Sequence, residues 1–392
     1  MSNYNNTFTP SPYDYRKESN IDMMVSNSNI NINTFSQTIP LQKQSRFTKL
    51  IALGNPIVDI SAEIGKESVK KYNLSWGGTV FADQFNVGFY NELENMPQVT
   101  YIPGGSIQNT LRTTAWVLNM DPIIAKNFKI TMLGATGKDN YRDKIINAFN
   151  QSGVNFLLEE IPNMQTSRCG VGINQKERCL LPQIRASNCI TDDYINEHEN
   201  EILSHDALLI EGYFLQEKYD LCHSLCDKFK NARKTVILTL SAVFMVVSHT
   251  EKILEIANYA DIIVGNNEEY EALGESQGLE VKSTFERVIK KFPNKEKLMI
   301  MTHGSKGVFI AKYNVKKGGL EYILQSFPSP LKNEEIVDFN GAGDAFLGGF
   351  LSQYMQGKNV ITCCNAGNDI AGIIIKNIGC TFPKNLKLQF ND

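Results

Sequence analysis

The chain has 392 residues, 42% of them hydrophobic, which is enough for a sizeable core in two domains or in one large domain with an insert. Its 39 Lys and Arg nearly balance 42 Asp and Glu, and a net charge of −3 leaves no basic footprint for nucleic acid or an anionic membrane. No apolar run approaches membrane-spanning length, no signal-peptide apolar region opens the chain, and eight cysteines without zinc-like spacing read as reduced thiols of an intracellular protein.

Residues 1–46 are rich in Asn, Ser and Thr with no sustained period, so they are expected to form a disordered tail. Order begins with a predicted strand over 49–53 that runs into Gly54-Asn55-Pro56-Ile57-Val58-Asp59-Ile60-Ser61. Gly54 and Pro56 stop that strand, which places Asn55 and Asp59 near its carboxyl end, the edge where open α/β sheets bind ligands. A carboxylate at 59 could accept from two neighbouring hydroxyls of a sugar, or be a turn acid with no ligand. Next, Gly104-Gly105-Ser106-Ile107-Gln108-Asn109 leads into a helix through Leu111, Ala115, Trp116 and Leu118. The double glycine suits close backbone approach to a ligand or a hinge, and Asn109 would point back toward the same ligand; a plain loop-to-helix junction fits as well.

A strand–helix–strand rhythm over 130–160 continues the α/β pattern. Between 162 and 186 the pattern changes to two short strands, Cys169 to Ile173 and Cys179 to Leu181, around a polar turn. With residues 60–100 they predict a small sheet inserted into the larger domain. Arg178 within it could reach a phosphate or be one more exposed arginine. From Asp206 the alternation resumes. Apolar runs at 207–210, 236–240, 261–264 and 298–301 each end in small, polar or aromatic residues: Glu211-Gly212-Tyr213, Ser241 to Phe244, Gly265 to Glu269, and Thr302-His303-Gly304. This recurrence is expected when all carboxyl ends open on one cleft. Asn266 followed by Glu269 makes a helix capping arrangement, and the same pair could organise Mg²⁺ directly or through its waters. The five histidines show no triad or metal grouping.

The stretch 336–354, IVDFNGAGDAFLGGFLSQY, carries the chemistry. A Gly-rich turn opening a helix aims unpaired amides outward at the positive end of the dipole, a ready anion site. An acid there, Asp344, would repel that anion unless it takes a proton from an alcohol attacking phosphorus while the amides hold the developing charge. Taken alone, GAGD fits that reading and a helix-start acid equally.

Together, GNPIVDIS, GGSIQN, EGYFL, LSAVF, GNNEE, DFNGAGDAFLGGFLSQ and GCTFP, in this order over 50–383, resemble the ribokinase-like carbohydrate and nucleoside kinase family on its adenosine branch. The resemblance implies a ribokinase-like α/β fold: a largely parallel central sheet with helices on both faces (47–58, 106–162 and 187–392) and a small β-sheet lid (59–105 and 163–186). It implies phosphorylation of the adenosine 5′-hydroxyl by ATP, giving AMP and ADP, with Mg²⁺ as cofactor. A related nucleoside or sugar kinase, or a non-catalytic nucleoside-binding homologue, is the alternative. Asp344 is then the base, Gly341, Ala342 and Gly343 the anion hole, and Arg178 a lid arginine near the transferred phosphate. Asn55, Asp59, Gly104, Gly105, Ser106, Asn109 and Asn340 would hold the ribose side, and Ile57, Cys169, Leu180, Tyr213 and Phe244 would pack the nucleobase. Thr302, Gly304 and Asn368 fall near the expected ATP site, and Asn266 and Glu269 match an element associated with Mg²⁺. The partners implied are adenosine and ATP, with neither nucleic acid nor membrane, for a monomer in the cytoplasm or nucleus. Phe339 stands where the family usually has Thr, which would set a bulky ring beside the anion hole. Ser167 and the run from Pro182 to Arg185 also depart from the family's lid.

Overall fold

The computed structural model describes residues 45–175, 177–279, 284, 288, 296–314, 319–325, 335–384, 386, 388 and 390. The tail expected over 1–46 lies, through residue 44, outside the described residues. Among the described residues thirteen strands form two sheets. In the larger, β1 (Lys49–Leu53), β4 (Lys129–Thr136), β5 (Asn155–Glu160), β8 (Ala207–Glu211), β9 (Thr235–Thr239), β10 (Ile262–Asn266) and β11 (Lys297–Thr302) run parallel. At one edge β12 (Val308–Asn314) and β13 (Gly319–Gln325) add antiparallel strands, for an order β13-β12-β11-β10-β9-β8-β1-β4-β5.

The parallel strands read as unbroken apolar runs because both faces are covered. In β1, Leu50 and Ala52 pack with Ile107, Leu111, Phe346 and Phe350 on one side, while Ile51 and Leu53 pack with Phe214, Leu225 and Phe229 on the other. From β1 the chain adds β4 and β5 outward in one direction, then returns and adds β8 to β11 in the other. The carboxyl ends of β1 and β8 therefore flank a topological switch point, where the crossovers diverge and leave a crevice.

Three helices close over that crevice: α3 (Ser106–Leu118), α8 (Ala342–Met355) and α9 (Val360–Ile374). Helix α8 lies close to both neighbours because glycines face them. A methyl group on Gly348 would stand 2.5 Å from Thr113 Cβ, and one on Gly349 2.8 Å from the Ala366 carbonyl oxygen. That close packing sets the first turn of α8 against the first turn of α3. The opposite face carries α5 (Tyr219–Asn231), α6 (Thr250–Tyr259) and α7 (Asn267–Glu275), while α4 (Asn140–Ser152) connects β4 to β5.

The smaller sheet has the order β3-β2-β6-β7, built from β2 (Ile57–Glu63), β3 (Thr100–Gly104), β6 (Ser167–Asn174) and β7 (Glu177–Gln183). Strand alternation divides its side chains between two faces. Ile60 and Ala62 pack with Leu181 and with Phe89, Tyr90 and Leu93 of α2 (Gly88–Glu94), while α1 (Lys66–Lys71) lies alongside. The other face gathers Ile57, Cys169, Val171, Ile173 and Leu180. Asp59 shares that second face. It was expected near the carboxyl end of β1, but Pro56 turns the chain directly into β2, and Asp59 pairs with Ile102 and Cys169 in the middle of the small sheet. Among the described residues no helix is long and apolar enough to cross a membrane.

Candidate active site

The turn before α8 is held open from below. The Asp338 carboxylate, buried, accepts from the Asn340 amide at 3.0 Å and the Gly379 amide at 2.8 Å. Gly341 then takes φ +79°, a left-handed conformation that glycine adopts without strain. The Ala342 amide turns back onto the Phe339 carbonyl at 3.2 Å, and the Ala345 amide onto Gly341 at 2.8 Å. Among the described residues no acceptor is found for the amides of Gly341, Gly343 and Asp344. Of the three amides expected to hold an anion, that of Ala342 is thus already engaged, while Gly343 is exposed with nothing within 4 Å of where a Cβ would stand. The Phe339 ring is 70% exposed, so only its carbonyl takes part in the turn. Asn340 is likewise exposed.

Asp344 lies in the first turn of α8, and α3 reaches both of its oxygens. Ser106 Oγ donates to Oδ1 at 2.7 Å and Asn109 Nδ2 to Oδ2 at 3.0 Å. Burial pushes the carboxyl above its ordinary range while these two bonds pull it back. A carboxylate held so, each oxygen with a further lone pair, is equipped to take a proton from a hydroxyl.

Two asparagines share one construction. Asn109 gives its amide nitrogen to Asp344, and Asn55 gives both backbone N and Nδ2 to Glu211 Oε1, at 2.8 and 3.0 Å. Each is left with a buried, unpartnered carbonyl oxygen, an acceptor suited to a hydroxyl donor. Asp59 faces Gly104 so closely that a Cβ there would lie 2.2 Å from its Oδ1, while Gly105 takes φ +90° against the Asn55 carbonyl. Burial first, then Asp338 and Asp344, push the Asp59 carboxyl up to about 7 against the pull of Arg112. Arg112, itself buried, ties α3 to the Pro103 and Cys380 carbonyls at 3.1 and 3.4 Å.

The residues expected to meet a nucleobase divide into two groups. Ile57, Cys169 and Leu180 form one apolar patch on the small sheet. Tyr213 and Phe244 stand 5.9 Å apart on the large domain, and Phe81 meets Phe244 edge-on at 6.1 Å. Phe81 belongs to the segment that runs beside β7, its neighbours Val80 and Ala82 donating to Leu180 and Pro182. Ser167 bonds Ser187 Oγ and the Arg185 amide, at 2.7 and 2.8 Å, and Gln183 accepts from Arg168 at 3.0 Å, so these departures serve hydrogen bonding in and beside the lid. Arg178 is buried, not exposed. Its Nε lies 2.8 Å from Asp338 Oδ1, an ion pair across the gap between the small sheet and the α8 turn, but among the described residues neither Nε nor Nη1 and Nη2 makes a well-aligned hydrogen bond.

Asn266 and Glu269 close a capping box on α7: Asn266 Oδ1 accepts from the Glu269 amide at 2.8 Å, and Glu269 accepts from the Asn266 amide and side chain at 2.9 and 3.1 Å. Burial pushes Glu269 up to about 7. Among the described residues no group of three or more His, Cys, Asp or Glu could hold a metal ion. With their polar atoms committed to each other, the pair would hold Mg²⁺ only through waters, not by direct ligation. Thr302 stands in register with Asn266; Gly304 lies in the following turn with open space around it, and Asn368, on α9, is hydrogen-bonded to neither among the described residues.

The buried carboxyls make a testable pH effect. Asp59 and Glu211, both raised to about 7 by burial, take up protons in the folded chain at a pH where the unfolded chain does not. Stability of the ligand-free protein should therefore rise as pH falls from about 8 to about 6.5, above the range where His205 and His249, held below the usual imidazole value, act in the opposite sense. Thermal melts without ligand check this, and Asp59→Asn should flatten the slope.

A family model described as pfkB family carbohydrate kinase matches residues 70–387. The chain belongs to this family. It is 29% identical over 351 residues to adenosine kinase 2 of Arabidopsis thaliana, covering 87% of this chain and 97% of that one. It is 28% identical over 343 residues to adenosine kinase of Saccharomyces cerevisiae, covering 85% and 96%. The crystal structure of Anopheles gambiae adenosine kinase in complex with P1,P4-di(adenosine-5) tetraphosphate superposes with a TM-score of 0.73 at 27% identity, covering 84% of this chain and 96% of that chain.

Four residues of the site were not singled out from sequence: Glu211, Asp338, Arg112 and Phe81. Glu211 and Asp338 lie inside quoted motifs, and a carboxylate at a strand end or before a Gly-rich turn was the available signal. Phe81, an aromatic in a polar stretch, gave a weaker one.

Proposed function

We propose that this kinase transfers the γ-phosphoryl group of ATP to the 5′-hydroxyl of adenosine, giving AMP and ADP. The observation that carries the reading is Asp344, gripped by Ser106 and Asn109 next to a turn whose Gly341 and Gly343 amides have no acceptor among the described residues. As the 5′-oxygen attacks the γ-phosphorus, its proton passes to Asp344, and the bond to the β-phosphate oxygen breaks to release ADP. The amides of Gly341 and Gly343 hold charge on the moving phosphoryl group, and the unpartnered edge of Arg178 adds a cation. Asn55 and Asp59 accept from the ribose hydroxyls, a reading supported by the unpartnered Asn55 Oδ1 and by the two acceptor oxygens of a carboxylate. The adenine packs between the Ile57, Cys169 and Leu180 patch and the Tyr213 and Phe244 rings.

The small sheet acts as a lid whose closure over the nucleoside excludes water and protects ATP from hydrolysis. Mg²⁺, held through waters by Asn266 and Glu269, would neutralise phosphate charge. Thr302, Gly304 and Asn368 border the nucleotide. The relatives named above are all adenosine kinases, which supports adenosine over a free sugar.

The test is ADP formation with ATP and Mg²⁺ across a panel of nucleosides and sugars. Adenosine should give the highest kcat/KM. Adenosine that binds without stimulating ADP formation would overturn the reading, and a different leading nucleoside would move the specificity while keeping the chemistry.

A further inference from the structure

Glu211 has no part in the chemistry above, yet it stands at the centre of the fold. It is the last residue of β8, 1% exposed, and faces the end of β1 across the switch point. Its Oε1 accepts twice from Asn55, from the backbone at 2.8 Å and from Nδ2 at 3.0 Å, while its Oε2 reaches the Ile107 amide at 3.4 Å. Gly54 keeps the space between them open, since a Cβ there would lie 2.7 Å from Ile107 Cβ and 3.0 Å from Glu211 Oε1. A buried carboxylate is costly unless donors surround it, so its presence here asks for a reason.

The reason lies in what it does to Asn55. An amide side chain can present either its NH₂ or its carbonyl to a ligand, and the two ends have nearly the same shape. With a carboxylate fixed against one end, only the NH₂ can sit there, because a carbonyl oxygen would face another acceptor. The carbonyl oxygen Oδ1 is thereby committed to the other side, where it is buried without a partner. Asp344 imposes the same orientation on Asn109.

We propose that Glu211 is a positioning residue that locks the Asn55 amide with its oxygen toward the substrate, so that this site selects a ligand offering a hydroxyl donor at that point. The proposal rests on the nucleoside reading above and adds to it which residue enforces the acceptor. The two bonds to Asn55 are of good length and the one to Ile107 is long, so loss of Glu211 acts on nucleoside binding more than on the turnover that depends on Ser106 and Asp344.

The experiment measures steady-state kinetics of the full chain with adenosine, 2′-deoxyadenosine and 3′-deoxyadenosine for wild type, Glu211→Ala and Glu211→Gln. Glu211→Ala should raise the KM for adenosine by at least about tenfold with kcat changed by less than about threefold and the KM for ATP unmoved. Glu211→Gln keeps an acceptor but loses the charge, and should raise that KM by roughly threefold to tenfold. For one of the two deoxy analogues, the one lacking the hydroxyl that Asn55 meets, the ratio of variant to wild-type KM should fall toward about 1, because the contact being oriented is gone. Equal losses with all three nucleosides, or a fall in kcat at constant KM, would overturn the proposal. If Glu211→Ala does not fold, Glu211→Gln decides it alone: an unchanged KM for adenosine overturns it, and a raised KM that vanishes with one deoxy analogue supports it. Wild type inactive on adenosine would instead refute the nucleoside reading before any variant is compared.

Discussion

Asp344→Asn is expected to lower kcat for adenosine by about 10² to 10⁴-fold, the range that a positioned general base contributes. The substitution keeps size and removes basicity, so the loss reports proton transfer more than packing. Its hydrogen bonds do not survive intact. Ser106 Oγ can still donate to an amide oxygen at Oδ1, but the new NH₂ would then face the Asn109 NH₂ at a place now spanned by 3.0 Å. Asn109 must turn over, which exchanges its free acceptor for a donor and adds a moderate rise in the KM for adenosine. Phosphoryl transfer depends chiefly on positioning and charge stabilisation, and for that reason residual activity should remain measurable through the free amides and Arg178. Single-turnover rates of phosphoryl transfer separate the chemical step from product release. A variant within about threefold of wild type in that step would remove Asp344 from the role of base.

The parts of this molecule that were legible in its sequence are those whose cause is local. Strands β1, β8, β9, β10 and β11 announce themselves as apolar runs because both their faces are covered. The Asn266 to Glu269 capping box is written in residues three apart, and the Gly341 turn in residues adjacent to one another. What was not legible depends on which strands lie side by side. Pro56 signals the end of β1 but not that the chain crosses at once into a second sheet, so Asp59 was expected at a strand end and stands in mid-strand. Glu211 looks like any polar residue closing a strand until β8 is known to lie against β1. Arg178 and Asp338 come from opposite sides of the cleft, and only the folded arrangement shows that an arginine open to two readings, phosphate ligand or exposed side chain, is one side of a buried ion pair. Local rules thus place these polar residues near a switch point, and long-range pairing decides which groups each carboxylate meets.

That distinction bears on the second large effect, which concerns a glycine. Gly104→Ala is expected to raise the KM for adenosine by about 10²-fold or more, with little loss of stability. A methyl group at position 104 would lie 2.2, 2.3 and 2.4 Å from Oδ1, Cγ and Oδ2 of Asp59, distances no pair of atoms sustains. The group in the way is the end of a short side chain with rotational freedom, so the strain is relieved by swinging the carboxylate aside rather than by moving backbone. The position has no left-handed φ, and Ala is tolerated there by the main chain. The cost therefore falls on function. A carboxylate accepting from two ribose hydroxyls contributes about 1.5–3 kcal/mol for each charged hydrogen bond, and losing two at the lower figure gives about 3 kcal/mol, or roughly 10²-fold in affinity. Gly105→Ala makes the contrast. There φ is +90° and the Cβ would lie 2.5 Å from the Asn55 backbone oxygen, so the chain itself must move, at a cost of about 1–3 kcal/mol in stability. Calorimetric titration with adenosine alongside thermal melts of both variants distinguishes the two effects. Gly104→Ala that binds adenosine like wild type would show that Asp59 does not hold the ribose, and Gly104→Ala that fails to fold would show that its carboxylate has nowhere else to go.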